Sequence, residues 1–158
     1  MIDSQKILYK FIQTNLNVDF EHVSRYENLS ENFIREFKDK VDWYYISIYQ
    51  KLSEDFIREF KDKVNWNEIS KHQKLSENFI REFHNKVDWY FISSYQDLSE
   101  NFIQEFEYIV NWLNISSFQK LSEKFICRFK NKVDWNSISK YQILSNEFKY
   151  SNYRKLYL

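Results

Sequence analysis

Leu52-Ser-Glu-Asp-Phe-Ile-Arg-Glu-Phe-Lys-Asp-Lys-Val-Asn-Trp-Asn-Glu-Ile-Ser-Lys-His-Gln-Lys74 is one period of a pattern that recurs on a 23-residue beat. Five full copies begin at Leu29, Leu52, Leu75, Leu98 and Leu121. They share Leu-Ser-x-x-Phe-Ile-x-x-Phe-x-x-x-Val-(Asp/Asn)-Trp-x-x-Ile-Ser-x-(aromatic/His)-Gln. A fixed period of this length marks a repeat array, in which each unit buries its apolar face on its neighbours and needs no central core.

Within the copy, Ser53 is a good N-cap, and Glu54 and Asp55 place acids where a helix dipole favours them. Phe56, Ile57, Phe60 and Val64 then fall at i, i+1, i+4 and i+8, one stripe of a helix of about ten residues. Asn65 caps a second helix of about eight residues, with Trp66, Ile69 and Gln73 on one face at i, i+3 and i+7 and His72 at its flank. Asp42, Asp88 and Asp134 fill the same capping slot. A strand is the competing reading, because Val41-Asp-Trp-Tyr-Tyr-Ile-Ser-Ile-Tyr49 is rich in β-formers. Its equivalents, Asn65-Trp-Asn-Glu-Ile-Ser-Lys-His72 and Asp134-Trp-Asn-Ser-Ile-Ser-Lys-Tyr141, are not. The three- and four-residue spacing persists and alternation does not, so helices are predicted.

The fold class is therefore all-α: an α-solenoid of tandem 23-residue two-helix repeats, expected to wind as a right-handed superhelix. Residues 1–28 read as a degenerate N-terminal repeat or cap, with Val18, Asp19, Phe20, Val23, Ser24 and Tyr26 keeping part of the motif. Residues 29–143 are the five full repeats. Residues 144–158 are a truncated copy or cap that retains Leu144, Ser145 and Phe148 and ends in a basic, Tyr-rich tail. Caps around repeats lead to the expectation of a complete small protein.

Lys and Arg number 23, as do Asp and Glu, so the net charge is zero. That balance argues against a nucleic-acid or anionic-membrane binder, which ordinarily carries a basic excess. Cys127 is the single cysteine, so no internal disulfide forms. Met1-Ile-Asp-Ser-Gln-Lys6 is not the basic-then-apolar pattern of a signal peptide. No stretch approaches the 18 or so apolar residues of a membrane span. The expectation is an intracellular, cytoplasmic protein with no membrane contact. Gly, Pro and Ala are all absent, while Asn, Lys, Ile, Phe and Tyr abound, which hints at an AT-rich genome. Without Gly or Pro, turns fall to Asn, Asp and Ser, and caps must set the helix boundaries.

Ser47, Ser70, Ser93, Ser116 and Ser139 recur on the second helix, each three residues before a recurring Gln. They could line a ligand groove. The preferred reading is close packing plus an internal amide ladder that satisfies turn groups. Glu54–Arg58, Arg58–Asp62 and Glu59–Lys63, with Glu31–Arg35, Arg35–Asp39 and Glu36–Lys40 one repeat earlier, sit at i, i+4 and predict a solvated outer face, not a phosphate site. His22, His72 and His84 lie in different registers, and none has metal-ligand spacing with Cys127. No glycine loop is available for phosphate. The reading is of a non-enzyme with no catalytic, metal or cofactor-binding residues and no cofactor.

Recognition should then use positions that vary. On the second helix these include Tyr44, Tyr45, Glu68, Lys71, Tyr90, Phe91, Leu113 and Asn114, a strip in which aromatic and polar groups alternate as on protein-recognition surfaces. The fourth copy departs furthest, with Glu107-Tyr108-Ile109 where others carry (Lys/His)-(Asp/Asn)-Lys. Tyr108, Ile109 and Leu113 swap charge for apolar surface there, a candidate partner or self-association contact.

Leu52-Ser-Glu-Asp-Phe-Ile-Arg-Glu-Phe-Lys-Asp-Lys-Val-Asn-Trp66 and Asp88-Trp-Tyr-Phe-Ile-Ser-Ser-Tyr-Gln96 resemble the short Trp/Phe tandem-repeat proteins of giant, amoeba-infecting DNA viruses of the mimivirus type. The resemblance covers about residues 18–148. It implies a viral protein in the host-cell cytoplasm and brings no catalytic residues. The expected function is a non-enzymatic protein–protein interaction scaffold with a protein partner, possible candidates including a host protein. The alternatives are a self-assembling structural repeat protein and, disfavoured by net charge, single-stranded nucleic-acid binding through exposed Tyr side chains.

Overall fold

The computed structural model describes residues 4–14 and 17–157. The expectation for the extreme N-terminus, Met1–Asp3, lies outside them. Among the described residues there are fourteen helices and no strand, so the all-α repeat array stands. No helix among them is long and apolar enough to cross a membrane. The chain divides into two compact units, Met1–Gln73 and Lys74–Leu158.

The first unit holds α1 (Ser4–Thr14), α2 (Phe20–Tyr26), α3 (Glu31–Glu36), α4 (Trp43–Tyr49), α5 (Glu54–Glu59) and α6 (Trp66–His72). Here α2, α4 and α6 are the second helices of successive repeats and pack side by side in chain order. The second unit holds α7 (Glu77–Glu82), α8 (Trp89–Tyr95), α9 (Glu100–Glu105), α10 (Trp112–Phe118), α11 (Glu123–Arg128), α12 (Trp135–Tyr141), α13 (Asn146–Ser151) and α14 (Tyr153–Tyr157). There α8, α10, α12 and α14 stack in the same manner.

The caps fall where the sequence places them. Ser53 Oγ accepts from Phe56 N–H at 3.2 Å, and the Asn65 side chain accepts from the amides of Asn67 and Glu68. The first helix, however, has six residues and not about ten. It stops at Phe60, whose φ of −110° and ψ of 28° leave the helical region. A tight turn follows, closed by Lys63 N–H to Phe60 O at 2.8 Å and Val64 N–H to the same oxygen at 3.1 Å. The physical reason is the indole. Trp66 Nε1 donates to Lys61 O at 2.9 Å, so a carbonyl that would continue the helical ladder serves a half-buried donor. The same bond recurs from Trp43, Trp89, Trp112 and Trp135. The stripe itself survives this break, with Phe56, Ile57, Phe60 and Val64 all buried.

Aromatic stacking joins one repeat to the next. Trp43 stacks on Phe56 at 6.2 Å and packs on Phe60 at 4.9 Å, and Trp89 repeats the arrangement on Phe102 and Phe106 at the same distances. Phe20 takes the Trp slot of the degenerate copy and meets Phe37 at 5.7 Å. Tyr9 of α1 covers Phe33 at 5.1 Å. At the far end the truncated copy has Asn152 where a second Phe would stand. Trp135 lies instead beneath Lys155 at 4.9 Å, and Leu156 of α14 is buried.

Two polar ladders run through the buried seams. Gln73 Nε2 donates to Ser47 O at 3.0 Å and Gln50 O at 2.8 Å, while its Oε1 accepts from Leu52 N–H at 3.1 Å. One amide thus satisfies three backbone groups at a junction that has no glycine. Gln50, Gln119 and Gln142 do the same. In the second ladder Ser47 Oγ donates to Trp43 O and accepts from Asn65 N–H of the next repeat at 3.0 Å. Ser24, Ser93 and Ser116 accept in turn from Asp42, Asn111 and Asp134. Ser47, Ser70, Ser93 and Ser116 are wholly inaccessible and are internal scaffold with no groove, while Ser139 of the last full copy is half-buried and donates to Asn136 O.

Gln119→Leu strands three backbone groups at about 1–3 kcal/mol each. A loss of about 3 kcal/mol or more is expected by urea denaturation, with faster hydrogen exchange at the Leu98 amide. Gln142, only half-buried, should cost less when changed in the same way. Trp89→Ala should cost about 3–5 kcal/mol, and more than Trp135→Ala, which loses no Phe pair.

Candidate functional site

The second helices carry the surface of interest, and their register divides the variable positions into two classes. The residue after each Trp faces solvent: Tyr44 is 47 % exposed, Tyr90 55 % and Leu113 55 %. The next residue turns toward the neighbouring second helix. Tyr45, Glu68 and Phe91 are half-buried, and Asn114 is buried. Asn114 Nδ2 donates to Tyr90 O of the preceding repeat at 3.1 Å, so it is a packing residue at this seam. Glu68 pairs with His72 at 3.3 Å. Lys71 is half-buried. Partial burial, with Glu21 nearby, raises the Tyr45 phenol above its ordinary pKa.

The structure brings Tyr44, Tyr45 and Tyr49 into one cluster, with ring centres 5.4 and 6.1 Å apart. Tyr90, Phe91 and Tyr95 form its counterpart in the second unit, at 5.4 and 6.1 Å. Both clusters extend through a residue outside the strip expected from the sequence. The aromatic just before the Gln recurs in four of the five full copies and is exposed in Tyr49, Tyr95, Phe118 and Tyr141, as is Tyr26 before Glu27 in the degenerate copy. The signal was available. Gln73 lies seven residues after Trp66, two full turns along the buried face, whereas the sixth residue is rotated about 100° away from it.

In the second unit this surface is also free of charge along two helices. Neither α8 (WYFISSY) nor α10 (WLNISSF) contains a charged residue. Between the ends of α10 and α12 lies a hollow of about 370 Å³ with Phe118, Leu121, Tyr141 and Ile143 on its wall, Ile143 being 96 % exposed. Among the described residues no buried side-chain nitrogen or oxygen lacks a partner, and no group of His, Cys, Asp and Glu could hold a metal ion.

The first helices present a different edge, built from charge. The predicted Glu31–Arg35 pair forms at 3.6 Å, but the shorter bond from Arg35 Nε runs to Glu59 of the next repeat at 2.8 Å. Lys63 likewise reaches back to Asp39 at 2.9 Å and holds that carboxyl below its ordinary pKa. Glu31 Oε1 accepts from Ser53 N–H, an inter-repeat cap that no pattern within one copy signals. Tyr108 (86 % exposed) and Ile109 sit on this edge, on the turn after α9, apart from the strip on the second helices. Lys132 rests 4.3 Å over the Tyr108 ring and pairs with Glu107 at 3.4 Å. A hydrogen bond to Glu107 raises the Tyr108 phenol above its ordinary pKa. Cys127 is a free, exposed thiol.

No family model, curated protein sequence or solved structure matches this chain.

Exposure at the aromatic row implies little cost on removal. Tyr95→Ser and Phe118→Ser should each change unfolding free energy by no more than about 0.5 kcal/mol in denaturant titration, while Asn114→Leu should cost about 1 kcal/mol or more.

Proposed function

We propose that this chain is a non-enzymatic protein–protein interaction scaffold that engages a protein partner through the outer face of its second helices. The carrying observation is the exposed aromatic surface of the second unit: Tyr90, Tyr95, Leu113 and Phe118 stand out from the uncharged α8 and α10, and Tyr141 and Ile143 continue it beside Lys120 and Lys140. Contiguous apolar surface of this kind marks interaction sites, and large aromatic anchors dominate binding energy at interfaces. The packed cores beneath, with their satisfied ladders, give those side chains a rigid base. The resemblance to repeat proteins of giant viruses makes a host-cell protein the partner of first interest and the cytoplasm its setting.

Self-assembly by continuing the array end to end is less well supported. A second copy would have to displace Tyr9 from Phe33 at one end and α14 from Trp135 at the other.

The test is quantitative retention from host-cell lysate by the native chain and by a variant with Tyr90, Tyr95, Phe118 and Tyr141 changed to Ser, after circular dichroism shows equal helicity. A protein held by the native chain and reduced about tenfold or more by the variant supports the reading, a difference of about 1.4 kcal/mol or more. Equal retention removes it.

A further inference from the structure

The zero net charge is the sum of two unequal parts. Residues 123–158 hold eight Lys and Arg against three Asp and Glu, and the residues before them fifteen against twenty. Asymmetry of this size points to a partner of opposite charge.

The structure shows where part of that imbalance is left without ion pairs, although Arg128 lies 5.6 Å over the Phe129 ring. In the regular repeats one slot on the first-helix edge is a built carboxylate receptor. Arg81 Nε donates to Glu105 of the next repeat at 2.8 Å, its Nη1 donates to Asn78 at 3.0 Å, and its guanidinium lies 4.9 Å over the Phe102 ring. Arg35 makes the same three contacts with Glu59, Asn32 and Phe56. The slot recurs at fixed spacing, so this edge binds carboxylates presented by a helix lying alongside.

From the fourth repeat onward the Arg and Glu members of that set are lost, while Asn101 and the Phe125 ring remain. Gln104 and Cys127 replace the Arg, Arg128 and Ser151 replace the Glu, and Lys124 replaces the Asn. Among the described residues Lys124, Arg128 and Lys130 make no ion pair, and all three are exposed. The one acid on α11, Glu123, is occupied by Ser145 N–H. Arg128 stands between two shallow hollows. One, of about 420 Å³, is walled by Gln104, Asn131 and Lys132 with Glu107, which Lys132 already pairs. The other, of about 190 Å³, is walled by Asn101, Gln104 and Lys124 with Glu100, which accepts from Ser122 N–H. Cations and amide donors therefore surround both hollows, and the acids present are engaged.

We propose that the α11 edge, centred on Lys124, Arg128 and Lys130, is a second docking surface that takes an acidic polypeptide segment with carboxylates at helical spacing. The segment supplies carboxylates of the kind that each unit already binds on its own first-helix edge, Glu59 in the first and Glu105 in the second. This edge is distinct from the aromatic face and does not depend on it. A single-stranded nucleic acid offers the competing anion, but the one ring in the wall of each hollow, Phe129 and Phe125, is buried and presents no stacking face, and the donors match carboxylates already bound on the same edge.

Fluorescence anisotropy of a labelled helical peptide with Glu at every fourth position, titrated with the full chain at low salt, tests this. The native chain is expected to bind that peptide at least about tenfold more tightly than the same peptide with Gln. Lys124→Glu with Arg128→Glu should remove that preference, and about 0.5 M salt should weaken it. Both side chains are exposed, so circular dichroism should be unchanged. Lys51→Glu, an exposed charge reversal elsewhere, should change affinity by less than about twofold. The proposal is overturned if the two peptides bind alike, if Lys51→Glu is as damaging as the double variant, or if oligo-dT binds more tightly than the Glu peptide. It is equally overturned if sedimentation shows the cations consumed in a dimer of the chain.

Discussion

A chain with no glycine and no proline must close more than ten helices without the residues that ordinarily end them. Among the described residues no backbone φ is positive, so left-handed caps are not used. The glutamine amide takes over that task. It bonds three main-chain groups at once, two carbonyls from the repeat before and one amide from its own. Buried backbone groups left without partners would cost more than short helices can return, so the stacked architecture rests on this single side chain. The indole and the serine follow from it. The first fixes the turn that aims the second helix, and the second ties neighbouring helix starts together.

Most of the scaffold was legible because each scaffold role recurs at one register of the motif. Ser53 and Asn65 announce their helices by type, and the apolar stripe of Phe56, Ile57, Phe60 and Val64 is buried as spaced. The helix over that stripe was predicted too long because spacing records which face is buried and not whether the backbone stays helical. Phe60 leaves the helix while Val64 remains inside. The bond that causes this comes from Trp66, six residues further on, and periodicity carries no trace of it.

The candidate surface was legible only in part, for a related reason. Variation along a repeat does not imply exposure, and recurrence does not imply burial. Asn114 varies and is buried, because the seam between second helices accepts Tyr, Glu, Phe, Asn or Ser so long as neighbours compensate. Tyr95 and Phe118 recur and are exposed. Of the charge pairs expected within one copy, Glu31–Arg35 and Glu54–Arg58 form, whereas Arg35 and Lys63 bond across copies to Glu59 and Asp39 in place of the expected Arg35–Asp39 and Glu59–Lys63. Each unit thus has two chemically different edges, an aromatic face and a charged edge, and in the second unit the aromatic face is free of charge along α8 and α10 while the charged ladder stops at Gln104.

The glutamine staple also gives the array a direction in time. Gln73 completes the junction after α4, Gln119 the junction after α8 and Gln142 the junction after α10, always from the repeat that is synthesised later. On a ribosome adding about 5–20 residues per second, a nascent repeat therefore waits roughly one to five seconds for the side chain that closes it. Within each unit the growing end is always an open junction, and each newly emerged repeat locks its predecessor while exposing its own unfinished edge.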